Sequence, residues 1–456
     1  MKLTLERTRL LACSVVTCLG ISALLNSPAL AQVNGPGYPV NGPGPSPSSE
    51  FDIVFNIPGD EDILTGFNDQ PLPGGFEFDP TTTQVNVSDG AQLREGFNVC
   101  GFQELNMTGG SFDRNFLVCS VGEVNLSGGT VGSSFRALAG SDVQITGGEF
   151  RRNGVDLNGT FGLSNFEVFT GTLADGSSFI FSRESGNPNS DSIFSVVLTT
   201  TDLPPIDTNP FVIDSPIVSG PSGLRAGQEA TLVEGGSLGI NYAVVDATFN
   251  VEGGVLGKGA ETYNSEVNIS DGSVGDFFSA HLGSVVNISG GTIGNVFAAR
   301  LGSEVNISGG TFGDSFQARF VSTVNIQGSE FSIDGTPLNN LQPGQPFTIT
   351  DRDVTLSGVL ADGEPFSFDL NSEDTSSIND FEEFFSPDAI LSVVLTEPVL
   401  LGDSNLDGTV NFLDISPFID ILSANSFLAQ ADTNQDGVVD FMDIQSFIEI
   451  LAGTGT

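Results

Sequence analysis

Glu304-Val305-Asn306-Ile307-Ser308-Gly309-Gly310-Thr311-Phe312-Gly313-Asp314-Ser315-Phe316-Gln317-Ala318-Arg319 is the stretch that decides the fold of most of this chain. Strand alternation places Val305, Ile307, Phe316 and Ala318 on one face and Asn306, Ser308, Gln317 and Arg319 on the other. Gly309-Gly310 supplies a corner, because glycine tolerates the positive φ that a tight change of direction demands.

The same phrase recurs on either side. One array begins at Phe249-Asn250-Val251-Glu252-Gly253-Gly254 and continues at Val267, Val286, Val305 and Val324, in steps of 18, 19, 19 and 19 residues. An earlier array runs from Val85-Asn86-Val87-Ser88-Asp89-Gly90 through Leu105, Val124 and Val143, in steps of 20, 19 and 19. A period near 20 residues with alternating apolar positions and glycine corners marks a stacked β-solenoid, each coil covering the last. The mostly β reading is therefore two tandem parallel β-helix domains with coils of roughly 19 residues, followed by a small all-α domain. A right-handed helix is expected, since neither a six-residue apolar period nor the calcium-binding Gly-Gly-x-Gly-x-Asp signature occurs. The 37 Phe and absent Trp suit rings stacked inside such coils.

Each array carries a similar tail. Gly171-Thr172-Leu173-Ala174-Asp175-Gly176 matches Gly358-Val359-Leu360-Ala361-Asp362-Gly363, and Ser195-Val196-Val197-Leu198-Thr199 matches Ser392-Val393-Val394-Leu395-Thr396. The offsets of 187 and 197 residues indicate a tandem duplication with a hinge at Thr200 to Pro210. The tails are expected to cap solenoid ends whose strand edges would otherwise lie open.

The expected organisation is a signal peptide at 1–31, a Pro/Gly-rich leader at 32–50, solenoid domains at 51–200 and 210–397, and a small C-terminal module at 401–452. Lys2, Arg7 and Arg9, the apolar run Leu10 to Leu25, and Ala29-Leu30-Ala31 before Gln32 read as a secretory signal. Lipidation at Cys13 or Cys18 fits less well, because Cys13 has almost no apolar stretch before it and Cys18 follows Thr17. No later stretch has the ~20 apolar residues of a membrane span. The expected location is secreted or cell surface. The chain has 14 basic and 57 acidic residues. Without Lys2, Arg7, Arg9 and Glu6, 11 and 56 remain, a formal charge of −45. Such a chain is not a nucleic-acid binder, because phosphate contact needs a basic surface. Of the cysteines beyond the signal, Cys100 and Cys119 lie one repeat apart. A ladder spacing of ~4.8 Å suits a disulfide's Cα separation and parallel Cβ vectors suit it less, which leaves the pairing open.

After Pro398 two acidic loops appear in register, 29 residues apart: Asp403-Ser404-Asn405-Leu406-Asp407-Gly408-Thr409-Val410-Asn411-Phe412-Leu413-Asp414 and Asp432-Thr433-Asn434-Gln435-Asp436-Gly437-Val438-Val439-Asp440-Phe441-Met442-Asp443. Calcium is a hard cation that takes six to eight oxygens, which a 12-residue loop supplies from positions 1, 3, 5, 7, 9 and 12 around a glycine at 6. Asp403, Asn405, Asp407, Thr409, Asn411 and Asp414 are the candidate ligands of the first loop, Thr409 through its carbonyl and Asn411 directly or through water. Asp432, Asn434, Asp436, Val438, Asp440 and Asp443 are those of the second, Val438 through its carbonyl. Two Ca2+ ions are expected.

Leu401 to about Ala452 resembles type I dockerins, the paired calcium modules that dock secreted polysaccharide-degrading enzymes onto cohesin domains. The resemblance rests on Gly402-Asp403, on Asp at position 12, and on helical segments carrying Ile415, Phe418, Ile419 and Leu422, then Ile444, Phe447, Ile448 and Leu451, whose apolar spacing reads as the module's own core. It implies a cohesin-like protein partner and gives positions 10 and 11, Phe412 and Leu413 with Phe441 and Met442, a part in partner choice. The family's frequent Lys or Arg further along each helix is absent, Ala424 and Gly453 standing near those places.

Catalysis is harder to find. Fold analogy alone does not assign it. His281, Arg300 and Arg319 form one outward column with Asp276 and Asp314 nearby, read as solvent-facing residues that offset negative charge, with a polysaccharide lyase or glycoside hydrolase site as the rival. The Asn columns, Asn86, Asn106 and Asn125 and then Asn250, Asn268, Asn287, Asn306 and Asn325, read as amide ladders. Polysaccharide stacking is disfavoured by three Tyr and no Trp. The expected function is an exported non-catalytic solenoid, an envelope, adhesion or matrix component that docks through its calcium module; the alternative is a dockerin-bearing enzyme or accessory factor of extracellular polysaccharide breakdown.

Overall fold

The computed structural model describes residues 53–57, 62–63, 83–88, 91–93, 95–100, 104–184, 190–217, 221–339, 341–375, 382–396, 400–405, 409–424, 426, 428, 430–434 and 438–453. The expected signal peptide and leader lie outside these residues. The chain is a β-solenoid of about 12 turns followed by a small helical region.

Each coil contributes one long and one short strand. Glu304–Phe312 pairs in parallel with Val285–Ile293, register Val286↔Val305, Asn287↔Asn306 and Ile288↔Ile307, while Gln317–Ala318 pairs with Ala298–Ala299. The ladder slips at the glycine pair and resumes at Thr292↔Thr311. The glycines therefore form a bulge inside one continuous strand, where a corner between two strands was expected. Gly129 shows why glycine is needed there: its φ is +90°, and a Cβ would lie 2.4 Å from the Gly110 carbonyl oxygen one coil away. The sharper corner stands before the inward Phe, where Asn115, Ser134, Phe277, Val296 and Ser315 all adopt positive φ.

The inward alternation is as read. Val305, Ile307, Phe316 and Ala318 are buried, and the phenylalanines stack coil upon coil. Ring centroids stand 5.7 Å apart for Phe97–Phe116 and 5.6 Å for Phe116–Phe135, then 5.1 Å for Phe278–Phe297 and 5.3 Å for Phe297–Phe316. Offset aromatic pairs at these separations gain beyond area burial. Outside, the amide ladders form: Asn287 Nδ2 donates to Asn268 at 2.8 Å and Asn306 Nδ2 to Asn287 at 2.9 Å. Cys100 and Cys119 are disulfide-bonded across one coil step, Cα atoms 4.7 Å apart.

Both tails fold back on the last coil of their own array. Val196–Thr200 joins Asp142–Arg152 in parallel while Glu167–Leu173 pairs with it antiparallel; Ile390–Leu395 and Thr355–Leu360 do the same to Thr323–Ile333. The duplicated Asp is the latch. Asp175 Oδ2 accepts the Gly129 N–H at 2.7 Å, and Asp362 Oδ2 accepts that of Gly310 at 2.6 Å.

The two arrays form separate sheets, one set ending at Thr200 and the other starting at Phe211. They pack against each other along a seam. Val168 and Ile180 meet Ala243, Val245 and Tyr263, and Arg114 lies 3.5 Å from the Phe277 ring centroid. Ion pairs cross at Arg151–Asp246 (2.5 Å), Arg225–Glu149 (3.6 Å), Lys258–Asp113 (2.5 Å), Arg300–Glu184 (3.1 Å) and Arg319–Glu184 (3.7 Å). In a chain this poor in cations, six basic side chains are spent on one interface. The Thr200–Pro210 segment is correspondingly packed: the Thr201 N–H donates to the Gly147 carbonyl at 2.7 Å, and Arg225 donates to the Pro204 carbonyl. The segment expected as the hinge between copies is thus held to both arrays.

Candidate functional site

Leu400 and the residues after it enter the first acidic loop through Gly402, at φ +92°. A Cβ there would stand 2.9 Å from Val410 Cγ1 and 3.1 Å from Ile450 Cγ2. The Gly402 N–H donates to the Gln430 carbonyl at 2.7 Å, tying the start of the first loop to the approach of the second.

The two loops close in the same way. Asp414 is fully buried, its carboxylate accepting the Asn405 N–H at 3.0 Å and the Asn411 N–H at 2.9 Å. Asp443, also fully buried, accepts those of Asn434 at 3.0 Å and Asp440 at 2.9 Å. Position 12 thus draws positions 3 and 9 around a common centre, toward which the buried Asp403 and Asp432 belong by sequence position. The position 9 side chains also cap the turn behind them: Asn411 Oδ1 accepts the Leu413 N–H at 2.8 Å, and Asp440 Oδ1 accepts that of Met442 at 2.6 Å. Asn411 Nδ2 donates to Thr409 Oγ1 at 3.0 Å, and Val438 is exposed. Asp407 and Asp436 lie outside the described residues. Among the described residues no three His, Cys, Asp or Glu side chains gather into a metal cluster, as expected where position 3 is Asn and position 5 is not described.

One difference between the loops escaped the sequence reading. Thr433 Oγ1 donates to the Asp443 carbonyl at 2.7 Å, whereas the buried Ser404 hydroxyl has no hydrogen-bond partner among the described residues.

Helices α1, Ile415–Ala424, and α2, Asp443–Leu451, follow the loops. Phe418 stacks on Phe447 with centroids 4.1 Å apart and planes at 4°. These residues hold equivalent places in the two halves, so each half contributes one ring to the stack. Phe418, Ala431, Val439 and Phe447 make the core. Ile415, Ile419 and Ile448, read as core, are exposed: α1 and α2 each bury only one stripe, and the residue after each Phe points some 100° away from it. They add to the module's exposed apolar side chains at positions 10 and 11. Phe412 is 80% exposed, Leu413 69%, Phe441 79% and Met442 69%.

Residues 401–452 carry nine Asp or Glu and no Lys, Arg or His. Buried carboxylates without a basic neighbour in their own module need a counter-charge from outside the chain. All-oxygen donors pinned by position 12 fit a calcium ion. These residues match the family model of the Dockerin type I domain. Such domains bind calcium and dock cohesin partners. No curated protein and no solved structure matches the chain.

On the solenoid, the outward column is not solvent-facing. His281 and Arg319 are buried and Arg300 nearly so, covered by the first array at the seam. Burial and the nearby Arg300 push the His281 imidazole down to about 3, so it is neutral. Burial pushes Glu261 up to about 8 and holds Asp191 well above the usual carboxylate range. Asp314 stands apart from these cations, in a cavity of about 380 Å³ with Asp369, Asn371, Glu382 and Glu383, where burial pushes Glu383 up to about 7. The cations of the column are instead paired at the seam, Arg300 and Arg319 with Glu184. No helix among the described residues is long and apolar enough to cross a membrane.

Proposed function

We propose that this is an exported, non-catalytic solenoid protein, an envelope, adhesion or matrix component, that docks to a cohesin-type partner through a C-terminal module holding two calcium ions. The ligands are Asp403, Asn405, Asp407, Thr409, Asn411 and Asp414 in one loop and Asp432, Asn434, Asp436, Val438, Asp440 and Asp443 in the other. Phe412, Leu413, Phe441 and Met442 contact the partner. The observation that carries this reading is the duplicated loop closure, with a buried Asp414 or Asp443 drawing in positions 3 and 9 while an apolar pair beside it stays in solvent. Calcium couples to partner binding because filling each loop fixes the turn that presents that pair.

The test is a pull-down from envelope and secreted fractions with calcium, with chelator, and with Asp403→Ala/Asp432→Ala. A cohesin-bearing protein retained only with calcium and intact loops supports docking; retention that ignores calcium refutes it. A second reading, a dockerin-borne polysaccharide hydrolase, is favoured by one feature: Glu383, raised toward neutrality in a cavity shared with Asp314, Asp369 and Glu382, as a general acid would need. Turnover of acidic or neutral polysaccharides that Glu383→Gln abolishes would establish it.

A further inference from the structure

The docking module exposes two sets of apolar side chains at equivalent sequence positions of its halves, Phe412, Leu413 and Ile419 in one and Phe441, Met442 and Ile448 in the other, while the equivalent Phe418 and Phe447 stack between the halves. Neither set offers a polar side-chain atom. Each is bordered at the same place on its helix by an acidic residue, Asp420 or Glu449, and no cation occurs anywhere in residues 401–452. Resting on the docking reading above, we infer that the partner is a cohesin-type domain whose docking surface is an apolar cleft rimmed by Lys and Arg.

The chemistry follows from what the faces lack. With no donor or acceptor in either apolar triplet, affinity comes from burying a Phe and its aliphatic neighbours in a cleft, the pattern of an aromatic anchor. The surrounding carboxylates set specificity and encounter rate: a basic rim is attracted, while an acidic rim meets like charge and is rejected. A second copy of this chain fails the same condition, since its module carries the same charge.

The experiment immobilises the full chain in millimolar calcium and passes over purified cohesin domains sorted into basic-rimmed and acidic-rimmed sets. The basic set binds, with an association rate that falls about tenfold between low and half-molar salt. Phe412→Ser or Phe441→Ser alone weakens binding about twofold, because the other face remains, while the double variant weakens it about 100-fold with calcium uptake unchanged. Equal binding of the acidic set, a salt-independent rate, or full affinity in the double variant overturns the inference while docking itself stands. Binding by neither set overturns docking and the inference together, and calcium-dependent self-association in sedimentation overturns the proposed partner.

Discussion

Glu184→Gln should open the seam between the two arrays. The Glu184 side chain is 4% exposed and its carboxylate faces Arg300 at 3.1 Å and Arg319 at 3.7 Å. The substitution keeps size and removes charge. Arg319 retains Asp374 at 2.7 Å, so its loss is small. Among the described residues Arg300 also has Glu261 and Asp191 nearby; burial raises both, and Glu261, pushed up to about 8, is mostly uncharged at pH 7 and does not replace the missing charge. One uncompensated buried guanidinium costs about 3 kcal/mol, the lower end for breaking a buried pair. With a urea slope of about 1–3 kcal/mol/M, the midpoint for the seam falls by about 1–3 M. Urea is preferable to guanidinium because it leaves ion pairs unscreened. Tyr263 lies in the seam cluster and the chain has no Trp, so the change in tyrosine emission that a Tyr263→Phe background removes reports the opening. The loss should shrink above pH 8 as Glu261 ionises. A midpoint shift no larger than that of the exposed Glu252→Gln would refute the reasoning.

The same cluster gives the seam a pH window. Glu261, raised from 4.5 to about 8, binds more protons folded than unfolded, so its contribution is complete below pH 4.5 and is lost as pH rises through 8. His281, lowered from 6.5 to about 3, contributes above pH 6.5 and loses its contribution as pH falls through 3. The opposed slopes give greatest seam stability between about pH 4.5 and 6.5, and Glu261→Gln should flatten the alkaline decline in thermal melts. In the calcium module, Thr433→Val removes the hydroxyl that holds Asp443 and should weaken one calorimetric calcium step by about 1 kcal/mol, leaving the other unchanged. Gly129→Ala places a methyl against the Gly110 carbonyl at positive φ and should lower stability by about 2 kcal/mol in urea melts, whereas Gly159→Ala, with nothing near its Cβ, pays only the backbone term.

What could be read from the sequence was what repeats. Val305, Ile307 and Phe316 announce the coil because the same types return every period, and Asn306 announces the amide ladder for the same reason. The calcium loops are legible because ligand spacing is set by coordination. The seam was not legible. His281, Arg300 and Arg319 do point away from their own coil's core, as alternation requires, but Glu184 comes from the other array to meet Arg300 and Arg319, and no periodic signal marks such a meeting. The corners at Phe277 and Val296 were equally hidden, since nothing in those residue types favours positive φ; their N–H groups donate to the next coil, to the Asn295 and Asp314 carbonyls. Helical spacing marks Ile419 and Ile448 as apolar positions but does not count how many stripes two short helices can bury, and both are exposed.

Calcium titration of the full chain by calorimetry, beside Asp403→Ala/Asp432→Ala, tests the central claim most directly. Two ions bound per chain, and none by the variant with an unchanged solenoid β signal, is the predicted result. Calcium uptake that survives the double substitution, or no uptake by the native chain, would contradict it.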